Sequence, residues 1–198
     1  MRPIHALLAA GLALTAQSTQ SPEDPWNRGR AVHQRRVHPP EPPSAVDWGG
    51  RIGRLLKDAE PGDLVVAAVG DVILTERISG LSDPRHQELF RILQEADLAF
   101  GNLEGSLNGR PELQRPFYNF RADPAFAWEL AGLGFNLMGL ANNHTLDFGP
   151  EGLKETLQAL DRSRITHAGA GPTLEEARAP GVTSVQGQTR KVALLSYL

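Results

Sequence analysis

From about Asp63 onward, the chain alternates short apolar runs with segments whose apolar residues recur at helical spacing. A continuous apolar run that ends at glycine or polar residues predicts a strand buried on both faces of a sheet. Four such runs predict four strands, at Asp63–Gly70, Asp97–Gly105, Phe135–Ala141 and Arg164–Gly171.

Helices are predicted between these strands and ahead of the first one. A short helix over Trp48–Ala59 precedes the first strand. Asp83-Pro84 opens the next helix with an N-cap aspartate and a first-turn proline, and Asp123-Pro124 repeats this device before a helix over Ala125–Gly132. Gly149-Pro150 opens a helix whose leucines recur at i, i+4 and i+7.

Two more strands, Gly181–Val185 and Lys191–Tyr197, are predicted on either side of the turn-forming "QGQT". Strands that alternate with helices predict an α/β domain with a largely parallel sheet. In such sheets, the residues that bind ligands gather at the carboxyl ends of the strands.

Polar side chains follow three of the predicted strands at the point where each strand ends. The first strand ends at Gly70-Asp71, the second runs into Asn102–Glu104, and the third into Asn142–His144. If the strands are parallel neighbours, two carboxylates, an amide oxygen and an imidazole face one volume. Carboxylate and amide oxygens suit hard or borderline divalent cations, and imidazole suits Mn, Fe or Zn. The pattern predicts a metal-assisted hydrolytic site.

Each of these residues also has a structural interpretation. Asp71 after a glycine is a common turn former that accepts backbone N–H groups. The amides of Asn142 and Asn143 suit turns or caps. A histidine such as His144 is often a core residue with satisfied hydrogen bonds.

Three charged residues near these strand ends have different expected roles. Glu104 is poor in turns and costly to bury unpaired, which favours a functional role. Asp147 is expected to cap the helix that opens at Pro150 rather than to bind a ligand. Arg121 is a candidate contact for an anionic ligand, and a surface salt bridge is the alternative.

Composition limits the remaining possibilities. The chain has 198 residues, of which 40% are hydrophobic, enough for one domain with a real core. A net charge of −3 and a pI near 6.1 give no general attraction to nucleic acid or to acidic membranes. Because the chain has no cysteine, any metal site must use His, Asp, Glu or Asn.

The N-terminus has the layout of an export signal. A basic residue precedes the apolar run Ala6–Ala16, and a small-x-small cleavage pattern follows it. Residues 1–18 are therefore predicted to be a signal peptide, since the run is too short for a stable membrane anchor. The alternative is an apolar N-terminal helix of a cytosolic protein. Residues 19–46, rich in proline and arginine, are predicted to be a linker, and residues 47–198 the folded domain.

Several sequence blocks together resemble a known family. They are "VGDVIL", "AFGNLEGSL", "YNFRADP" and above all "ANNHTLDFGPEGLKETLQAL", in that order. They resemble the bacterial capsule-synthesis CapA family, associated with poly-γ-glutamate capsule, a branch of the calcineurin-like metallophosphoesterases. The resemblance covers about Asp63 to Leu198 and implies an α-β-β-α sandwich, of which this chain holds the N-terminal half.

The resemblance implies a role for each polar strand tip. Asp71 corresponds to the first metal-binding aspartate, Glu104 to the metal-bridging carboxylate, and Asn143 to the metal-binding amide. His144 corresponds to the catalytic histidine that faces the substrate. The implied cofactor is a divalent metal (Mn, Fe or Zn). The residues assigned to the substrate are Asn102, Asn142 and Arg121.

The sequence also departs from the superfamily pattern. Ile73 stands where the first motif normally adds a histidine, and the later histidine motifs do not occur before the apolar "KVALLSYL" at the end. A domain truncated at its C-terminus, with half of the catalytic set, is therefore expected.

Two functions follow from the resemblance. One is an exported, metal-dependent hydrolase that acts on capsule polymer or another envelope substrate, located in the periplasm, in the cell envelope or outside the cell. The other is a non-catalytic accessory protein that binds anionic polymer or the membrane subunits of the capsule synthase.

We predict that the exported protein begins near Thr19, because the basic, apolar and small-residue segments of residues 1–18 are those of a cleaved signal. Mass spectrometry of the envelope and secreted fractions should find the shortened N-terminus. Mature protein that retains Met1 would contradict this prediction.

Overall fold

A computed structural model describes residues 4–8, 48–60, 62–74, 77–109 and 119–198. The predicted signal peptide and linker lie outside these residues, except for a strand at Ile4–Leu8. In chain order the elements are β1 (Ile4–Leu8), α1 (Trp48–Asp58), β2 (Leu64–Val72), α2 (Pro84–Glu95), β3 (Leu98–Leu103), β4 (Ser106–Leu107), β5 (Arg121–Ala122), α3 (Phe126–Gly132), β6 (Leu137–Gly139), α4 (Gly149–Arg162), β7 (Thr166–Ala168), α5 (Leu174–Arg178), β8 (Gly181–Ser184) and β9 (Lys191–Leu194).

Five strands form one parallel sheet in the order β1-β2-β3-β6-β7. From β2 to β7, each new strand is added on the same side of the previous one, and α2, α3 and α4 lie in the three connections. Because such crossovers are right-handed, a constant direction of growth keeps all three helices on one face of the sheet. A two-stranded parallel ladder, β4–β5, and an antiparallel hairpin, β8–β9, complete the strands.

The alternation of side chains along β3 and β6 divides the core into two clusters. Ala99 and Met138 belong to the larger cluster, together with apolar residues of the three crossover helices. Leu98 and Leu137 belong to the smaller cluster on the opposite face, which includes Val185, the residue directly after β8. Helices therefore cover one face of the sheet and the hairpin covers the other, so strand ends are the natural place for polar groups.

The predicted strands and helices are confirmed. Most strands are shorter than the apolar runs that indicated them, whereas β2 continues two residues past its predicted end at Gly70 and includes Asp71. Asp83 caps α2 as predicted, since its side chain accepts a hydrogen bond from the Arg85 N–H (2.8 Å). Asp123 accepts the Ala125 N–H (2.8 Å) just before α3 begins. The α/β class with a parallel sheet is thus confirmed. No helix among the described residues is long and apolar enough to cross a membrane.

The turn between α3 and β6 generates a stability prediction. Gly134 has a φ of +103°, and a Cβ there would lie 2.6 Å from the backbone carbonyl carbon of Leu93. Gly134→Ala should therefore lower the free energy of unfolding by roughly 2 kcal/mol or more, through backbone strain and overlap with rigid backbone. Urea denaturation of the 198-residue chain measures it.

Gly132→Ala is the matched control, because a Cβ at Gly132 meets nothing within 4 Å at the end of the same helix. This variant should unfold at the same urea concentration as the wild type or slightly above it. Equal midpoints for the two variants would show that the turn tolerates a side chain.

Candidate active site at the strand ends

An irregularity in the register of the sheet sets the position of Asp71. Ala68 of β2 lies opposite Phe100 of β3, whereas Asp71 lies opposite Asn102, so β2 carries one extra residue between the two pairs. Such a bulge bends its strand and redirects the side chains that follow it. Asp71 thereby lies beside Asn102, whose Nδ2 donates a hydrogen bond to Asp71 Oδ1 (2.8 Å).

Asn142 connects the end of β3 to the loop that follows β6. Its Nδ2 donates to Asn102 Oδ1 (3.0 Å) and to the Leu103 carbonyl oxygen (2.9 Å). Its Oδ1 accepts from the His144 N–H (3.0 Å) and from the Thr145 hydroxyl (3.2 Å). Both polar atoms of this amide, predicted to bind substrate, are used by protein groups. In this structure Asn142 positions the loop.

His144 lies between two carboxylates. Its Nδ1 is 2.7 Å from Asp147 Oδ2, and its Nε2 is 3.6 Å from Glu104 Oε1. The expectation that Asp147 caps the following helix is wrong, because the N-cap of α4 is Phe148 and no side chain caps it. Asp147 is instead buried, with 2% of its surface exposed, against the histidine ring.

The electrostatics of the site centre on Glu104. Burial raises the pKa of Glu104, and a hydrogen bond to Asp71 and repulsion by the Asp71 charge raise it further, while His144 acts in the opposite direction. Two carboxylates that share a hydrogen bond in a partly buried place repel each other when both are ionised. The site therefore favours a proton or a cation at this point.

An aromatic ring closes one side of the site. The Phe120 ring lies 4.7 Å from the His144 ring, centroid to centroid, with the planes tilted by 59°. Gly105 makes this approach possible, since a Cβ on its backbone at φ +146° would lie 3.0 Å from Phe120 Cβ. Phe120 therefore limits the positions that the His144 ring can adopt.

Ser196, which follows the β8–β9 hairpin, is hydrogen-bonded to the loop that carries His144. After β9, the Ser196 hydroxyl accepts a hydrogen bond from the Ala141 N–H (3.2 Å), directly before the Asn142–His144 segment. The hairpin layer thus contacts the site as well as the core.

The predicted site residues fall into two groups. Direct contacts join Asp71, Asn102, Glu104, Asn142 and His144 at the carboxyl ends of β2, β3 and β6. Asn143 and Arg121 are exposed, and Arg121 Nη1 donates to the Asn108 carbonyl oxygen (3.5 Å). Sequence reasoning missed Asp147 and Phe120 as parts of the site. The spacing of Asp147 three residues after His144 was the available signal.

The fit of these residues to a metal ion is partial. Among the described residues, no group of three or more His, Asp or Glu side chains is arranged to hold a metal. The Asp71–Glu104 carboxylate pair supplies two adjacent oxygen donors, and the repulsion between them is relieved by a cation. Two carboxylates suit a hard cation that keeps most of its water ligands. The donors present fit such an ion at a hydrated, weakly held site.

Comparison with known proteins identifies the family. A family model described as bacterial capsule synthesis protein PGA_cap matches residues 65–198. The chain belongs to this family. The matched residues include every strand tip described above, and the PGA_cap match confirms the resemblance noted in the sequence.

Relatives of the chain are known from several bacteria. An uncharacterized protein of Sinorhizobium fredii is 34% identical over 173 residues, covering 84% of this chain and 36% of that protein. A probable polyglutamine synthesis accessory protein of Mycobacterium tuberculosis is 32% identical, covering 83% and 41%. Capsule biosynthesis protein CapA of Bacillus anthracis is 24% identical over 151 residues, covering 72% and 36%. The chain thus spans roughly two fifths or less of the length of these relatives.

The carboxylate pair predicts a pH dependence of stability. Because the pKa of Glu104 is raised in the folded state, folding favours its neutral form. This contribution to stability is fully present below the ordinary glutamate pKa of about 4.3 and is lost as the pH rises through the folded-state pKa. Glu104→Gln, which stays neutral, should therefore gain stability over the wild type as the pH rises from about 4 to 7.

Urea denaturation at a series of pH values, with a chelator present, measures this difference. Asp71→Asn is the matched variant and should change stability in the same direction, since it removes the repelling charge. A difference between Glu104→Gln and wild type that stays constant over this pH range would contradict the assignment.

Proposed function

We propose that this protein is the site-bearing part of an exported, metal-dependent hydrolase of capsule synthesis, acting on capsule polymer or an envelope phosphoester. The observation that carries the proposal is the convergence of Asp71, Glu104 and His144 at the ends of three adjacent strands. Relatives named for capsule and polyglutamine synthesis support the setting. The chain matches a minor part of the length of those relatives, so the proposed activity is one for a protein of their full length.

The layering of the fold is consistent with this proposal. Helices on one face of the sheet and a hairpin on the other follow the order of layers expected for one part of the α-β-β-α sandwich that the resemblance implies. The resemblance also implies a metal site at the ends of the central strands.

In the proposed site, each residue has a separate chemical role. Asp71 and Glu104 would hold a divalent cation. The Asn143 amide, which the family resemblance aligns with a metal ligand, would be a further oxygen donor. When bound, such an ion polarises a phosphoryl or acyl oxygen and acidifies water. His144 presents Nε2 toward Glu104 and the same volume. In the protonated form of the ring, Nε2 would donate a proton or hydrogen bond to charge that develops on the substrate. Asn102 and Asn142 keep the carboxylate and the imidazole in this relation.

An accessory role is the second candidate, and a specific observation favours it. Ile73 occupies the position at which the superfamily adds a metal-binding histidine, and the described donors number fewer than a tight site needs. A relative named as an accessory protein fits this reading. In that case the strand ends would bind anionic polymer through a cation without cleaving it.

Metal titration of matched variants is the test of the proposed site. We predict that Asp71→Ala and Asn143→Ala in the complete protein each weaken Mn²⁺ or Zn²⁺ binding by at least roughly tenfold, as loss of donors in a metal site does. His144→Ala should leave the metal bound and lower hydrolysis by roughly a hundredfold, as expected for a lost acid–base or oxyanion group. Calorimetry and phosphoester or polymer turnover measure the two effects.

Asp161→Ala is the control. Asp161 lies in the last turn of α4, away from these strand ends, and its Oδ1 is 3.0 Å from His167 Nε2. Its metal affinity should equal that of the wild type. Unchanged metal affinity in both Asp71→Ala and Asn143→Ala would show that these residues do not bind a metal ion. Metal binding without any turnover would move the assignment to the accessory role.

A further inference from the structure

The loop that carries His144 exposes an apolar residue and buries a charged one. Leu146 is 49% exposed, whereas its neighbour Asp147 is 2% exposed. Hydrophobicity alone favours the reverse arrangement, because an unpaired buried carboxylate is costly. A specific partner must hold Asp147 inside, and its side chain contacts His144 Nδ1 at 2.7 Å.

The backbone of the loop builds this pair locally. The Asp147 N–H donates to the His144 carbonyl oxygen (3.1 Å), and the Gly149 N–H donates to the Leu146 carbonyl oxygen (3.0 Å). These turns place the side chains three residues apart on the same side of the chain. Asp147 also precedes α4, whose N-terminal end favours a negative charge. A carboxylate oxygen is an acceptor only, so in this contact Nδ1–H donates the hydrogen bond to Asp147 Oδ2.

We propose that Asp147 is a positioning residue that holds His144 in the Nδ1–H tautomer, with the Nε2 lone pair facing Glu104 and the open side of the site. A neutral imidazole has one donor and one acceptor nitrogen, so fixing the first fixes the second. The Phe120 ring restricts rotation of the imidazole from one side. The tautomer assignment stands on this geometry, and its consequence for hydrolysis rests on the proposed function.

The described residues include a second histidine–aspartate pair, in which the other ring nitrogen, Nε2, contacts the carboxylate. His167 contacts Asp161 through Nε2 (3.0 Å), and the Asp161 side chain is 70% exposed. The same rule assigns the Nε2–H tautomer to His167. A single NMR spectrum of the chain can therefore report both histidines, with the exposed His167–Asp161 pair as an internal comparison for the buried His144–Asp147 pair.

Long-range proton–nitrogen NMR of the labelled 198-residue chain tests the proposal, at a pH well above the ordinary histidine pKa of about 6.5 and with a chelator present. His144→Gln and His167→Gln assign the signals. We expect a protonated Nδ1 and an unprotonated Nε2 for His144, and the reverse for His167. Asp147→Ala should return His144 toward the Nε2–H form, whereas Asp161→Ala should leave the His144 signals unchanged.

If His144 of the wild-type chain carries its proton on Nε2, the proposal is wrong. This result needs no variant, so the test holds even if Asp147→Ala folds poorly. An unchanged tautomer in folded Asp147→Ala would overturn it as well. In the complete protein, Asp147→Asn should lower kcat by roughly 10- to 100-fold with little change in KM, the size of effect seen for partners that orient a functional histidine. The expected NMR result without any hydrolysis would refute the proposed activity and leave the tautomer assignment intact.

Discussion

A chain of side-chain hydrogen bonds across three neighbouring strand ends holds the candidate site together. It runs from Asp71 to Asn102 and from Asn102 to Asn142, whose oxygen then fixes the backbone of His144. This chain depends on the register of β2 and β3, because a shift by one residue turns every side chain to the other face of a sheet. The extra residue in β2 is therefore part of the site, although it carries no reactive group.

Local signals in the sequence were sufficient for most of the fold. Apolar runs located the strands, and Asp83-Pro84 and Gly149-Pro150 located two helix starts. The two-residue ladder β4–β5 was not predicted, because it is too short to show any periodicity. Helix α5 was also missed, although Thr173 and Glu176 form the capping box that marks its start.

The site could be predicted only as far as the strand ends determine it. Their polar residues were identifiable because parallel strands end at a common edge. The roles of Asp147 and Phe120 arise from tertiary contacts: a turn directs one inward, and a glycine lets the other approach His144. Propensity favoured a cap at Asp147, and the partner available inside the protein decided otherwise.

The charges at the site constrain what can approach it. The His144 ring lies between the Glu104 and Asp147 carboxyl groups, and a hydrogen bond joins Glu104 to Asp71, so three carboxyl groups lie close together. An anionic polymer would meet net repulsion at these strand ends unless a cation intervened. In the proposed site, the metal ion and the anionic polymer would therefore each bind weakly alone, and each would strengthen the binding of the other.

The contact between Ser196 and Ala141 spans 55 positions of the chain. Closing a contact of such separation costs loop-closure entropy, which the packing of the hairpin against the sheet helps to offset. The loop that carries His144 has its full set of supports only when the hairpin is docked. Apolar packing on the far face of the sheet therefore contributes to how well ordered the site is.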